Sequence, residues 1–162
     1  MAIEILTIEA LLERLPRYAR LFGLDLGTKT IGVAVTDVER HIATPLETIR
    51  REKFTADVQK LAALAKAQEA VALVIGMPLN MDGTEGPRAQ ATRTFVRNLG
   101  QHMSLPVLFW DERLSTAAVT RTLIEQDASR AKRAEVVDRM AAAYILQGAL
   151  DRMQHLQRER QA

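Results

Sequence analysis

Gly23-Leu24-Asp25-Leu26-Gly27-Thr28-Lys29-Thr30-Ile31-Gly32-Val33-Ala34-Val35 decides how this chain folds. It reads as two strands, at residues 20–26 and 30–36, joined by a tight Gly-Thr-Lys turn. One carboxylate, Asp25, stands among apolar neighbours. An ionised Asp inside a strand costs free energy unless a cation or hydrogen-bond donors meet it. Beside a glycine turn that lets a ligand approach the backbone, it points to a site for a metal ion and a phosphate.

Before this stretch, residues 7–15 have the spacing of a short amphipathic helix, with Ile8, Leu11, Leu12 and Leu15 on one side and Pro16 ending it. After it, residues 46–49 are a candidate third strand. Phe54, Val58, Leu61, Leu64 and Ala65 recur at helical spacing over residues 54–67. Ala70-Val71-Ala72-Leu73-Val74-Ile75 is a continuous apolar run, as expected of a strand buried on both faces. Pro87 suits the first turn of a helix whose inner face includes Ala91, Phe95 and Leu99. Residues 105–110 give another apolar strand, and Ser115 is placed to cap a helix running to Gln126. A polar segment with Arg130, Lys132 and Arg133 then precedes a last helix from Ala134 to about Met153. Hairpin strands followed by helical crossovers predict an α/β fold, a mixed five-stranded sheet covered by helices. The division expected is an N-terminal helical extension (1–17), one main domain (18–156) and a short C-terminal tail (157–162).

Composition narrows the chemistry. With no cysteine among 162 residues, disulfides, thiolate metal sites and a cysteine nucleophile are excluded. A hydrophobic fraction of 48% and a charged fraction of 26% are those of an ordinary globular domain. The net charge of +2 permits nucleic-acid binding without arguing for it. Charged residues interrupt the apolar N-terminus, and no apolar run approaches the roughly 20 residues that span a bilayer. The expected location is the cytoplasm.

Other acids are placed to join Asp25. The fifth strand ends in Trp110-Asp111-Glu112-Arg113, and ligands of α/β sheets gather beyond the C-terminal ends of parallel strands. On the last helix, Asp138 falls at the edge of an apolar face formed by Val137, Met140, Ala141, Tyr144, Ile145 and Gly148. Carboxylates from separate elements, with no His or Cys among them, make an oxygen site suited to Mg²⁺ or Mn²⁺. Such ions activate water and stabilise a leaving oxygen in phosphodiester hydrolysis. The segment from Gly76 to Arg88 (GMPLNMDGTEGPR) joins a buried strand to a helix N-terminus, where free amides favour a phosphate. Asn80 lies within it. Arg88, Lys29 and Arg113 are further phosphate contacts, and Arg130, Lys132 and Arg133 could hold a nucleic-acid backbone.

At these residues the chain strongly resembles the YqgF (RuvX) family, bacterial proteins related to Holliday-junction resolvases. The matching segments are 23–34, 76–88, 111–116 (Asp-Glu-Arg-Leu-Ser-Thr) and 138–150, in family order. The resemblance implies an RNase H-like fold with strand order 3-2-1-4-5 and a Mg²⁺- or Mn²⁺-dependent nuclease. It further implies trimming of the 5′ end of the small-subunit ribosomal RNA precursor (pre-rRNA), with resolution of branched DNA as an older proposal. Carried across, the family's acids fall on Asp25, Glu112 and Asp138, with Asp111 as a substitute or helper. Ribosomal particles would be partners and no membrane would be involved. Two other classes remain open. Asp-Leu-Gly-Thr-Lys-Thr also resembles the phosphate loop of sugar kinases, actin and Hsp70-type ATPases, although those close two such domains round a nucleotide. A non-catalytic RNA-binding assembly factor would keep the acids for stability alone.

Overall fold

A computed structural model describes residues 3–114 and 130–161, with side chains placed for 3–114 and 137–161. The hairpin forms where expected, as β1 (Arg20–Leu26) and β2 (Thr30–Thr36), antiparallel with Asp25 opposite Gly32. The third strand, β3 (Ala43–Arg50), is longer than residues 46–49. Pro45 argues against a strand in the sequence, but β3 is an edge strand, where a missing amide leaves no ladder partner unmet. A register shift between Val33 and Ala34 absorbs the proline, which stands opposite Ala34.

Helix α2 (Phe54–Gln68) ends at Glu69 in the left-handed conformation, and β4 (Ala70–Met77) follows directly. Helix α3 (Pro87–Leu99) starts with proline in its first turn, and β5 (Val107–Asp111) completes the sheet. The sheet order is β3-β2-β1-β4-β5, with β1, β4 and β5 parallel. This is the five-stranded RNase H-like arrangement that the resemblance implies. The helix expected from Ser115 to Gln126 lies outside the described residues.

Two of the helical expectations change. Arg130, Lys132 and Arg133 do not precede the last helix but form its opening turns, since α4 runs from Arg130 to Gln161. It also continues through the segment read as a C-terminal tail. The apolar periodicity marks only the part of a helix that is buried, and the polar turns at both ends carry no such signal. The N-terminal segment is tied to the domain twice. Helix α1 (Ile8–Arg14), capped by Thr7, places Leu11 1% exposed among Leu21, Leu150 and Met153. Upstream, Glu4 and Leu6 exchange backbone hydrogen bonds with Val107, both at 2.8 Å, and so cover the outer edge of β5. Covering an edge removes a row of unpaired amides that would invite other strands.

Strand alternation divides the core into two layers. Phe22, Leu24, Ile31, Val33, Leu73 and Ile75 point to the side covered by α2 and α3. Leu21, Ala34, Ala72, Val74, Leu108 and Trp110 point to the side covered by α4. The α4 side of the central strands is made of small residues, and this sets how closely the helix lies. A Cβ on Gly23 would stand 2.7 Å from the Leu146 Cβ and 2.8 Å from the Ala142 carbonyl. On Gly32 it would stand 1.9 Å from the Asp138 carbonyl, closer than any non-bonded contact allows. Gly32→Ala must therefore push α4 away from the sheet. The expected cost is the upper part of the overpacking range, about 3 kcal/mol, or a melting temperature lower by about 6–12 °C. Thermal unfolding followed by circular dichroism checks this, and an unchanged midpoint would show that the helix is not held there.

Candidate active site

The C-terminal ends of β1, β4 and β5 lie at one end of the sheet, and the acids assemble there. Asp25 is 1% exposed, on the α4 side by strand alternation. Its neighbour on β2 is Gly32, and the Leu24–Ile75 pairing sets Gly76 of β4 beside it in the next step. Neither neighbour has a side chain, and other acids occupy the room this leaves. Asp138 sits over Gly32, and its Oδ2 would be 3.3 Å from a Cβ on Gly27. Glu112, in the 3₁₀ turn Glu112–Leu114 after β5, puts Oε1 2.6 Å from where a Gly76 Cβ would be. Asp25, Glu112 and Asp138 thus come from three elements to the same end of the sheet.

Two residues that sequence reasoning missed hold this arrangement. Thr30 is buried, and its hydroxyl donates a hydrogen bond to Asp138 Oδ2 across the turn. Arg51 donates from Nη1 to the Gly27 carbonyl at 2.7 Å, and its amide meets the Lys29 carbonyl at 2.8 Å. Its guanidinium lies 5.5 Å from the Phe95 ring centroid, so α3 supports the cation from the other side of the sheet. Thr30 had a signal, a hydroxyl at a strand start within Gly-Thr-Lys-Thr. Arg51 had none, because its place follows from the pairing of Thr30 with Arg50.

Asp111 is engaged differently from the other three acids. Both its oxygens accept from Arg113, at 2.7 Å from Nη2 and 3.1 Å from Nε, and the Arg113 guanidinium holds the Asp111 carboxyl below its usual value. Arg113 Nη1 also donates to the Met81 carbonyl at 3.1 Å. Arg113 therefore clamps the loop after β4 to the end of β5. Asn80 belongs to the same construction. Its backbone pairs with Thr84 and Gly83, its Nδ2 donates to Thr84 Oγ1 at 2.9 Å, and Gly83 takes φ +88° to close the turn. Lys29 at the hairpin tip and Arg88 in the first turn of α3 are exposed. The side chains of Arg130, Lys132 and Arg133 lie outside the described residues.

The donors of Asp25, Glu112 and Asp138 are all carboxylate oxygens, a set that fits a hard divalent cation such as Mg²⁺ or Mn²⁺. Among the described residues, no three His, Asp or Glu side chains are already closed round one ion position. In the arrangement shown, Asp138 faces Thr30.

A family model described as "Holliday junction resolvase", RuvX, matches residues 19–152. The chain belongs to the RuvX family. A Methylocella silvestris protein named "Putative pre-16S rRNA nuclease" is 63% identical over 157 residues, covering 97% of this chain and 98% of that one. A Rhizobium meliloti protein of the same name is 59% identical over 154 residues, covering 95% and 93%. Among solved structures, RuvC of T. thermophilus in complex with a Holliday junction substrate is similar at a TM-score of 0.47 and 15% identity, covering 84% of this chain and 96% of that one. The RuvX match begins after α1, so the edge pairing of residues 4–6 and the helix that follows lie outside it.

The loop between β4 and α3 also carries a dependence on pH. The Thr84 hydroxyl and amide hold Asp82 below its ordinary value, and the hydrogen bond from Arg93 does the same to Glu85. Both carboxyls are lowered by folding, so their support is complete above their unfolded values, near 4, and is lost as pH falls through the lower folded ones. Amide exchange protection across residues 80–85, corrected for intrinsic rates, is expected to be flat from pH 8 to 5 and to fall below about pH 4. A loss of protection already at pH 6 would contradict these pairings.

Proposed function

We propose that this RuvX-family chain is a metal-dependent nuclease that matures the 5′ end of the pre-16S ribosomal RNA, acting in the cytoplasm on ribosomal precursor particles. The observation that carries the reading is the placement of Asp25 between two residues without side chains, with Glu112 and Asp138 brought over the space. Three carboxylates at the C-terminal ends of the parallel strands, where ligands of α/β sheets gather, support it. The names carried by the relatives supply the substrate.

Asp25, Glu112 and Asp138 would hold Mg²⁺ or Mn²⁺, which when bound supplies an activated water and charge stabilisation at the leaving oxygen. The chain's own residues do the positioning. Thr30 fixes the Asp138 carboxylate, and Arg51 fixes the turn from which Lys29 projects. Arg88, exposed at the N-terminal end of α3, meets a phosphate where that helix's free amides point. Asp111 lies outside the ligand set: it orients Arg113, which with Asn80 keeps the β4–α3 loop shaped for the RNA backbone. Arg130, Lys132 and Arg133, in the opening turns of α4, are further contacts for the nucleic-acid backbone in this reading.

The test compares a 5′-extended 16S precursor with a four-way DNA junction as substrates, in Mg²⁺, Mn²⁺ and EDTA. Metal-dependent cleavage of the precursor is expected, with Asp25→Asn, Glu112→Gln and Asp138→Asn each slower by at least about a hundredfold. The melting temperatures of the three variants should stay within a few degrees of the parent. Precursor cleavage at the parental rate by all three would remove these acids from the reaction. Selective cutting of the junction would transfer the activity to branched DNA.

A further inference from the structure

At the far end of α4 from the acids, the last turns of that helix, α1 and the β2–β3 connection enclose a cleft of about 440 Å³. Its charge is lopsided. Arg17, Arg40 and Arg158 line it, with Gln154 and Gln157 as neutral donors. One carboxylate, Glu39, also lines it and faces His41 at 3.5 Å. Among the described residues, none of the three arginines forms an ion pair, although the Asp37 carboxylate acts on Arg40 from beyond that range, whereas Arg14 and Arg160 nearby are paired with Glu4 and Glu13.

The cations are also held in place. Arg40 adopts φ +57° and donates from Nη1 to the Ala19 carbonyl at 2.9 Å, so its guanidinium is partly withdrawn from water. Arg17 lies 5.3 Å from the centroid of the Tyr18 ring, and Tyr18 is 59% exposed. Planar guanidinium forks match phosphate oxygens, and an exposed aromatic face stacks bases. An acidic peptide would use the forks and leave the aromatic ring idle.

We propose that this cleft is a second contact for the RNA substrate, gripping the phosphodiester backbone away from the scissile bond. This rests on the nuclease reading, since it assumes that the strand engaged here continues to the acids. The separation of Asp138 from Arg158 along α4 is about 30 Å at 1.5 Å per residue. An RNA shorter than this reaches the acids without reaching the cleft.

The test uses the full chain with Arg17→Ala and Arg158→Ala combined, and separately Tyr18→Ala. All three residues are exposed, and melting temperatures confirm that the variants remain folded. Binding of a 5′-extended precursor RNA is measured in EDTA, so that no cleavage occurs, over a range of salt. The double variant is expected to bind about tenfold more weakly, with a log–log salt slope shallower by about 1.4, or 0.7 for each phosphate contact removed. Tyr18→Ala should weaken binding with no change of slope. In Mg²⁺, an RNA too short to span about 30 Å should be cut equally well by parent and variants. An unchanged affinity and slope for the long RNA overturns the proposal, as does failure of the parent to bind it. A loss confined to a four-way DNA junction or to polyglutamate overturns the assignment to RNA. A parent that binds and responds to the substitutions but cleaves nothing defeats the nuclease reading and leaves the cleft as an RNA contact.

Discussion

The Asp138 carbonyl stands where any side chain on Gly32 would have to be, and the rest of the site depends on that contact. An α-helix ordinarily packs on a sheet through layers of side chains. Here the backbone of α4 descends onto β2 because Gly32 offers only a hydrogen, and Gly23 lets Ala142 and Leu146 follow one turn and two turns later. Close approach of the helix has a direct electrostatic result. It carries the Asp138 carboxylate down to the level of Asp25, which an apolar layer of ordinary thickness would have kept apart from it. The same device recurs on the other flank, where Gly76 leaves room for Glu112 above β4. Glycine is otherwise a poor residue for strand interiors, since it packs nothing and costs more entropy to order. Its use at these positions trades strand stability for access to one point.

Bringing carboxylates together creates repulsion that the surroundings must offset. Hydrogen-bond donors and fixed cations do so at low cost because they are already held by other parts of the fold. Thr30 serves Asp138, and Arg51 is braced between the Gly27 carbonyl and the Phe95 ring. Asp111 and Arg113 neutralise one another and, through the Met81 carbonyl, fix the neighbouring loop. That loop is mostly exposed, so it has little hydrophobic burial to define its shape. Its conformation comes instead from the Asn80–Thr84 and Asp82–Thr84 hydrogen bonds and the Glu85–Arg93 pair. A polar scaffold of this kind keeps amides and cations open to a phosphate, which an apolar one would not.

How far the sequence could be read follows the same division. The hairpin, β4 and α3 are legible because local signals agree there: a glycine turn between β-rich runs, an apolar run of strand length, and a proline at a helix start. As candidates, Asp25 and Asp138 stand out in the sequence as a charge within a strand and one beside a helix's apolar stripe, whereas the end of β5 offers both Asp111 and Glu112 and only the family resemblance prefers Glu112. Strand β3 is read too short because pairing at an edge tolerates Pro45, which local propensity penalises. The last turns of α4 escape notice because they are largely exposed and carry no apolar stripe. Thr30 and Arg51 act through partners 108 and 24 residues distant in the chain, and such contacts exist only once the sheet register is set.

Helix α4 ties these levels together. Its middle turns, from Ala141 to Met153, are buried against the sheet and fixed by the glycine contacts, and its last turns run on into exposed residues. A helix held rigidly along its centre transmits position to both ends. One end delivers Asp138 to the acids, and the other presents Gln154, Gln157 and Arg158 beside Arg17 and Arg40. The distance between the two places is therefore set by helical rise and not by loop conformation. For a strand that must be held at one point and cut at another, a fixed separation selects which bond meets the acids, and it does so by length alone, without reading any base.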